Sequence, residues 1–449
     1  MHTSVEPLEG NKVKLSVEVD EEEVHRDEEA TFRRLSREVR LPGFRPGKVP
    51  RRLLEHRLGP KAVRQEVLAD ALPRYLGDAV REHELDVIAQ PEVEVTSGQE
   101  SGPVTFEAVV EVRPEVAIVG YEGLAVTIPS PLVTPEDVDA QLDRLREQFA
   151  SLREVEREAR AGDLVTMDVH GTRDGVAAEG LSADDLLYEA GSGGVVAGFD
   201  ERLIGAKAGD TIELDAEDAP GGPANLRVDV KLVREKVLPE ANDEFASDAS
   251  EFETLAELRE ALSSQVAQRK RVQASLALRE RAVEALVELV TEEPPEVLVN
   301  HEAQHLLQDF ASRLQSQQIK LEQYLAAIGQ QPDELVAELK EQAVKQVKAD
   351  LALRALAAAE EIEIDESDLD EEIVRIANQG NATPARVREA LEREGQVAEL
   401  RSQLKKAKAL RWLVDHVDVV DEEGKPVDRS ALVIEPDVGE VSGEDREEA

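Results

Sequence analysis

Apolar and polar residues alternate in several segments near the start of the chain, and this alternation predicts strands. The alternating segments are residues 12–20, 87–95 and 104–112. Between the first two, apolar residues recur at helical spacing over residues 21–41 and 60–80. The order strand, helices, strand, strand predicts a small α+β domain.

A connector rich in proline and glycine follows at residues 113–135, with a short strand predicted at residues 124–128. Thr134 can cap the next helix and Pro135 can open it, because proline lacks the N–H that the first helical position leaves unbonded. The apolar stripe of this helix runs to Leu152 at the spacing of a helix packed on a partner.

Residues 161–237 change to short strands and glycine turns. Strands are predicted at residues 164–170, 211–214 and 226–233, and Asp174-Gly175 is typical of a hairpin turn. This part of the chain is therefore expected to form a compact β-rich domain.

Helical spacing dominates the remaining chain. The predicted helices are residues 255–289, 298–314, 321–328, 332–360, 365–377, 384–394 and 397–415. Many of their faces mix Ala, Val and Leu with Gln and Glu, which leaves two interpretations. Part of the apolar surface stays open for weak contacts with unfolded chains, or the stripes pair off in an ordinary helical bundle.

Composition limits the classes of protein that fit this pattern. A chain of 449 residues predicts about two to four domains. A net charge of -44 argues against a general nucleic-acid binder, and the absence of cysteine excludes disulfides and fits a reducing cytoplasm. The acidic N-terminus predicts no signal peptide, and no apolar run approaches a membrane span. We therefore expect a cytoplasmic protein.

One segment is basic within this acidic chain. Residues 31–64 contain eleven Lys or Arg and two Glu. At the centre of this segment, Phe44 stands between Arg45 and Lys48 in a stretch rich in glycine and proline. A loop that exposes an apolar side chain between cations suits an anionic surface with a pocket, such as ribosomal RNA with its proteins. The alternative is a surface loop whose phenylalanine folds back into the core.

The stretch Gly43-Phe44-Arg45-Pro46-Gly47-Lys48-Val49-Pro50 resembles the ribosome-docking signature of bacterial trigger factor. The resemblance implies that ribosome binding falls to Gly43, Phe44, Arg45, Pro46, Gly47 and Lys48. It implies the ribosome as a partner, through exit-tunnel protein and rRNA, together with nascent and unfolded polypeptides, and no membrane. It also implies links to protein transport and cell division. A homodimer of the free protein stays an open option.

The middle region is similar to an FKBP-like prolyl isomerase. The matching residues are Gly162-Asp163 before the first strand, Val195-Val196-Ala197-Gly198-Phe199, and then Leu203, Gly205, Ala208-Gly209 and Asp210. The resemblance implies a peptidyl-prolyl cis-trans isomerase that needs no cofactor and no metal. Its expected site residues are Phe199, Val195, Val196, Tyr188 and Leu187.

Prolyl isomerisation needs a dry aromatic pocket rather than a nucleophile. The X-Pro bond faces a barrier of about 18–20 kcal/mol, which a pocket lowers by gripping the twisted amide away from water. This sequence has Val169 where the family commonly has an aromatic residue, and its late flap is the short segment of residues 218–223. Weak isomerase activity and an inactive domain therefore both stay open, and Phe199 is either a pocket wall or a core residue.

His301-Glu302-Ala303-Gln304-His305 matches the H-E-x-x-H pattern of zinc proteases, which makes a metalloprotease a remote alternative. No third ligand stands at a diagnostic spacing, and the surrounding helix is polar. Solvated histidines are the better interpretation.

The pattern predicts a multidomain α+β protein, and the resemblance implies an N-terminal α+β ribosome-binding domain, an FKBP-like β-rich middle domain and a mainly α-helical C-terminal chaperone domain. The predicted boundaries are residues 1–115, a connector with bridging helix at 116–150, the isomerase domain at 151–238, the chaperone domain at 239–421 and an acidic disordered tail at 422–449. The expected function is a ribosome-associated chaperone with isomerase activity. The alternative is a purely non-enzymatic holding chaperone with an inactive FKBP-like domain.

Overall fold

A computed structural model of the chain describes residues 1–38, 59–173, 176–178, 180–217 and 222–432. Its strands are β1 His2–Pro7, β2 Lys12–Val19, β3 Glu92–Ser97, β4 Val104–Glu111, β5 Ala125–Ile128, β6 Ser151–Glu154, β7 Leu164–Arg173, β8 Val176–Ala177, β9 Ala183–Glu189, β10 Thr211–Ala216, β11 Ala224–Val237 and β12 Asp418–Asp421. Its helices are α1 Glu21–Glu38, α2 Pro60–Glu82, α3 Pro135–Gln148, α4 Phe199–Leu203, α5 Asp243–Ala249, α6 Leu255–Glu288, α7 Glu296–Ser316, α8 Leu321–Ile328, α9 Pro332–Ala359, α10 Glu366–Gln379, α11 Pro384–Glu394 and α12 Val397–His416. The multidomain α+β class is confirmed.

The chain divides into two compact units. One comprises Met1–Thr127 and Leu278–Val420, and the other comprises Ile128–Ala277 with the described residues 421–432. The N-terminal domain therefore shares a unit with most of the C-terminal helices, which the sequence order did not indicate.

In the first unit, an antiparallel sheet in the order β1-β2-β4-β3 carries the N-terminal core. Strand β4 alternates between buried and half-buried side chains, and Phe106 on its buried face is fully covered. Helices α1 and α2 supply Val24, Leu68 and Tyr75 to the same core. One strand differs from its prediction, because Val87 makes only an isolated bridge to Val112 and β3 begins at Glu92.

The helices of the first unit pack mainly around α9, which contacts both α7 and α12. Leu351 and Leu356 on α9 are almost completely buried, and Leu413 on α12 is fully buried. A second apolar cluster joins α10 to α12 through Leu369, Ile373 and Leu400. Many of the predicted apolar stripes are thus paired inside the bundle.

A charge network links the N-terminal domain to these helices within the first unit. The carboxylate of Asp350 on α9 accepts hydrogen bonds from Arg113 Nη1 at 3.1 Å and from Arg354 Nε at 2.8 Å, and it also pairs with Lys406 of α12. Arg113 Nε donates in turn to Asp86 at 2.7 Å.

Strand β12 is an element that the sequence did not predict. It pairs with β5, and Asp418 N–H donates to Leu124 O at 2.8 Å. Nearby, the Tyr121 ring meets Trp412 edge-on at 5.8 Å, and its hydroxyl donates to Glu360 at 2.6 Å. The short connector strand is therefore held by the end of the helical region.

The second unit contains a six-stranded sheet centred on β7 and β11, which pair antiparallel. Strands β6 and β10 also pair with β11, and β8 and β9 pair with β7. Helix α4 contributes Phe199 and Leu203 to the apolar core of this sheet, beside Val165, Met167 and Val228.

The bridging helix α3 begins as predicted, with a capping box between Thr134 and Asp137. Val138 and Leu142 pack against residues of α5 and α6. The helix ends at Gln148 rather than continuing to Leu152, which lies on β6 and is 44% exposed. Pairing of β6 with β11 therefore replaces the last predicted helical turn.

Candidate functional site

The structure brings together four of the five residues expected to form the isomerase site. Phe199 opens α4 and is 3% exposed, and Tyr188 on β9 is buried next to it. The two rings meet edge-on, with centroids 5.3 Å apart. Val195 and Val196 are partly buried against the same cluster. The arrangement is an apolar floor with two aromatic side chains.

Leu187 does not join this group. Side chains on a strand alternate between faces, and Leu187 is 50% exposed between two inward neighbours, Leu186 and Tyr188. Leu186 packs against the core beside Met167, which lies opposite it on β7. Leu186, one residue earlier, therefore lies on the face of β9 where Leu187 was expected.

Strand β7 contributes aliphatic side chains to this cluster. Val169, which stands where the family commonly has an aromatic residue, is buried in the same cluster as Phe199. The hairpin turn predicted at Asp174-Gly175 and most of the late flap, residues 218–221, lie outside the described residues. At the described end of the flap, Arg173 donates to the carbonyls of Gly222 and Pro223.

A buried turn holds β9 beside the start of β7. Gly162 adopts a positive φ of 88° and donates its N–H to Ala190 O at 2.8 Å. The Asp163 carboxylate pairs with Arg157 and accepts the Arg160 N–H at 2.8 Å. Burial works to raise the pKa of Asp163, but these hydrogen bonds outweigh it and lower the pKa below its usual value. Gly162-Asp163 thus has a structural role.

Asp200 lies beside this cluster and was not expected there from the sequence. Its carboxylate accepts the Tyr188 hydroxyl at 3.0 Å, the Gly191 N–H at 2.7 Å and the Gly193 N–H at 2.8 Å. Burial works to raise its pKa, but the hydrogen bonds from the glycine amides and the hydroxyl hold the pKa of Asp200 below its usual value. The sequence shows an aspartate directly after Phe199, but its hydrogen-bond partners meet it only once the domain has folded.

The outer face of the same domain carries a group of potential metal ligands. One ligand atom each from Asp168, His170 and Asp184 lies within 4.8 Å of the others. Asp168 is already paired with Lys231 Nζ at 2.5 Å, and Lys231 also contacts Asp185 at 2.7 Å. The carboxylate that a cation would need is thus neutralised by an ammonium group.

His301 and His305 lie on α7, and His305 faces Asp309 at 3.6 Å with both side chains exposed. Across the part of the chain that the structure describes, the group on the outer sheet face is the only gathering of three potential ligands, so this helix presents no third ligand. The geometry does not support a zinc protease.

The expected ribosome-binding residues, Gly43 to Lys48, lie outside the described residues. Some cations beside them are already paired on the flanking helices. Arg34 contacts Glu66 at 2.8 Å, and the buried Arg64 donates to Glu28 at 2.6 Å and to the carbonyl of Gly102. Much of the positive charge on α1 and α2 is therefore used within the domain.

Comparisons with known proteins cover nearly the whole chain. Residues 1–145 match the family described as "Bacterial trigger factor protein (TF)", residues 254–415 match its C-terminus, and residues 155–218 match "FKBP-type peptidyl-prolyl cis-trans isomerase". The trigger factor of Nocardia farcinica is 38% identical over 97% of this chain and 94% of its own length. That of Halothermothrix orenii is 36% identical over 93% of this chain and 99% of its own length.

A solved structure described as "Promiscuous Substrate Recognition in Folding and Assembly Activities of the Trigger Factor Chaperone" is 26% identical and covers 92% of this chain and 99% of its own, with a TM-score of 0.45. Both relatives are more than 30% identical to this chain and are covered over more than nine tenths of their own length. The chain therefore belongs to the bacterial trigger factor family, and it carries an FKBP-type peptidyl-prolyl isomerase domain.

Proposed function

We propose that this protein is a ribosome-associated chaperone that receives nascent polypeptides at the exit tunnel and also isomerises their X-Pro bonds. The observation that carries the proposal is the match of all three parts of the chain, in order, to trigger factor and FKBP-type families. The cytoplasm is where ribosomes and nascent chains meet, so the proposal places the protein there. Roles in protein transport and cell division would follow from its clients.

Ribosome docking is assigned to Phe44, Arg45 and Lys48 with the glycines and prolines around them. The support is the concentration of positive charge in this segment of a chain with net charge -44. Ribosomal RNA attracts such cations, while the phenylalanine would enter an apolar pocket.

The test of docking is co-sedimentation with ribosomes. The full chain carrying Phe44→Ala, Arg45→Ala and Lys48→Ala should pellet at least about tenfold less well, because an apolar anchor and two phosphate contacts are lost. A matched variant replaces Val119, which is 85% exposed, and the exposed cations Arg271 and Lys345 with alanine. It should pellet normally. Normal pelleting of the first variant would contradict the docking assignment.

Client binding is assigned to apolar side chains that the helices leave exposed. Ile328 at the end of α8 is 52% exposed and Val336 on α9 is 51% exposed, and Ile319 before α8 is also exposed. Exposed aliphatic groups on a charged surface make weak, adaptable contacts with unfolded chains.

Suppression of aggregation of an unfolded client tests this assignment. Ile328→Ser with Val336→Ser should weaken the suppression by the full chain, whereas Glu338→Ser with Glu341→Ser, at exposed polar positions of α9, should not. Equal effects of the two pairs would count against the assignment.

Light scattering of the free protein at rising concentration would separately decide whether it forms a homodimer.

The isomerase site is assigned to Phe199, Val195 and Val196, with Tyr188 as the supporting wall and Leu186 in place of Leu187. A pocket floor of this kind excludes water from the proline ring and favours the twisted amide. Neither a cofactor nor a catalytic base is required.

Isomerisation of a short X-Pro peptide by the full chain tests the site. Phe199→Ala should reduce kcat/KM by at least about tenfold, because the buried ring that supports the pocket floor beneath the proline is removed. Leu187→Ala, on the opposite face of β9, should leave kcat/KM unchanged. A wild-type chain without catalysis would favour the second candidate function, a holding chaperone that keeps the FKBP-type domain as a client-binding surface.

A further inference from the structure

The carboxylate of Asp200 gathers hydrogen-bond donors from two separate parts of the isomerase domain. From β9 it accepts the Tyr188 hydroxyl, whose oxygen lies 3.0 Å from Oδ1 and 3.1 Å from Oδ2. From the following loop it accepts the Gly191 N–H on Oδ1 and the Gly193 N–H on Oδ2. Both oxygens are therefore engaged.

The same network closes on Tyr188. The Gly194 N–H donates to the Tyr188 hydroxyl oxygen at 3.1 Å, so the hydroxyl donates to Asp200 and accepts from the loop. Gly191 and Gly193 have positive φ values of 92° and 72°, a backbone region in which other residues are strained. The glycine segment, residues 191–194, is thus wrapped around one carboxylate and one hydroxyl.

This network stands next to the groups that would contact the substrate. Residues 191–194 lead directly into Val195 and Val196, and Asp200 follows Phe199 on α4. Tyr188 also presses its ring edge-on against Phe199. The carboxylate therefore borders the pocket floor at both Val195 and Phe199.

We propose that Asp200 is a positioning residue of the isomerase: by holding the glycine segment and the Tyr188 hydroxyl, it fixes Val195, Val196 and Phe199 where the proline ring binds. The inference rests on the proposed isomerase function. Hydrogen bonds to an ionised acceptor are stronger than neutral ones, and a site held in its reactive geometry before binding avoids reorganisation in the transition state. The low pKa of Asp200 agrees with a carboxylate that stays ionised in this network.

The decisive experiment measures kcat and KM of the full chain on an X-Pro peptide. Asp200→Asn keeps the size of the side chain but replaces one acceptor oxygen with an amide donor. We expect kcat/KM to fall about tenfold, mainly through kcat, since the pocket floor is still present but less well fixed. Tyr188→Phe keeps the hydrogen bonds from the glycine amides to Asp200, so it should lower kcat/KM by less. Asp184→Asn, exposed on the same domain, is the matched control and should behave as wild type.

Hydrogen exchange separates positioning from a general loss of folding. In Asp200→Asn, the amides of Gly191 and Gly193 should exchange faster, while the amides of β7 and β11 keep their protection. Wild-type kcat/KM in Asp200→Asn, or an activity loss accompanied by faster exchange throughout the sheet, would overturn the inference. An inactive wild-type chain would instead overturn the proposed isomerase function, and the positioning role with it.

Discussion

At the scale of single residues, buried polar groups in the N-terminal domain are held by specific partners. Tyr75 is 1% exposed, and its hydroxyl donates to Asp27, which also pairs with Arg74. Burial and the bond to Asp27 raise the pKa of Tyr75. The phenol is therefore held as a structural donor to Asp27.

Tyr75→Phe should lower the free energy of unfolding by about 1–2 kcal/mol, because a buried hydrogen bond to a charged acceptor is lost while Asp27 keeps Arg74. Urea unfolding followed by circular dichroism measures the change. Tyr324→Phe is the matched control, since Tyr324 makes a ring contact with Phe310 and its hydroxyl has no partner among the described residues. Equal losses in both variants would show that the hydroxyl bond of Tyr75 contributes little.

Most members of the apolar cluster around Phe199 could be expected to lie together, because they belong to one short motif. Val195, Val196 and Phe199 stand in that motif, whereas Tyr188 was expected only through the resemblance to an FKBP-like domain, and the structure places all four in one cluster. Leu187 lies on the other face of β9 from this cluster, because successive residues of a strand face opposite sides and the sequence alone did not fix which residues face inward. Asp200 could not be predicted, because its partners come together only when the glycine segment folds back onto α4.

At the scale of elements, tight turns fix how strands meet. Gly98 has a positive φ of 79°, and a Cβ at this position would lie 2.1 Å from the carbonyl oxygen of Pro103. The carbonyl of Gly98 also accepts hydrogen bonds from Arg64 Nε and Nη2 at 3.1 and 3.0 Å. The turn between β3 and β4 therefore requires glycine and is bonded to α2.

Gly98→Ala should destabilise the protein by at least about 2 kcal/mol, because both the backbone conformation and the contact with Pro103 must change. Thermal unfolding measures the effect. Gly77→Ala is the control: Gly77 lies inside α2 with open space around its Cβ position, so alanine should stabilise the helix by about 0.5–1 kcal/mol. The two substitutions should shift the melting temperature in opposite directions. An unchanged melting temperature in Gly98→Ala would show that the turn between β3 and β4 accepts a Cβ.

The elements that the sequence predicted well are those with long periodic patterns, such as α6, α9 and α12. Short elements were missed or displaced because pairing, rather than pattern, decides them. Strand β12 forms by backbone pairing of Asp418–Asp421 with β5, which lies almost 300 residues earlier in the chain. Likewise, Leu152 joins β6 because β11 offers it a partner.

At the scale of the whole molecule, charge decides how distant parts of the chain are held together. Asp350 is mostly covered and meets Arg113, Arg354 and Lys406. Burial works to raise its pKa, but the bonds from Lys406 and Arg354 outweigh it and lower the pKa below the usual value. Residues from the N-terminal domain, α9 and α12 therefore share one carboxylate.

Asp350→Asn should lower the free energy of unfolding of the first unit by about 1–3 kcal/mol at pH 7, because three cations lose their shared partner. The lowered pKa fixes the pH dependence: the stabilisation is fully present above the unfolded pKa of about 3.9 and is lost as pH falls through the folded value. The difference in free energy of unfolding between wild type and variant should thus be constant from pH 7 to 5 and shrink below about pH 4. Glu341→Gln, exposed on α9, is the control. A gap that is unchanged at low pH would contradict this assignment.

Ribosome docking should separate into an electrostatic and an apolar part. Each cation that neutralises a phosphate releases counterions, so the logarithm of the binding constant falls linearly with the logarithm of salt concentration. Arg45→Ala and Lys48→Ala should each reduce that slope by roughly 1. Phe44→Ala should weaken binding by about 1.5–3 kcal/mol at every salt concentration with the slope unchanged, because the loss is one of apolar burial. Lys345→Ala, an exposed cation on α9, should change neither quantity. A Phe44→Ala variant with a reduced slope would mean that the phenylalanine orients the cations instead of filling a pocket.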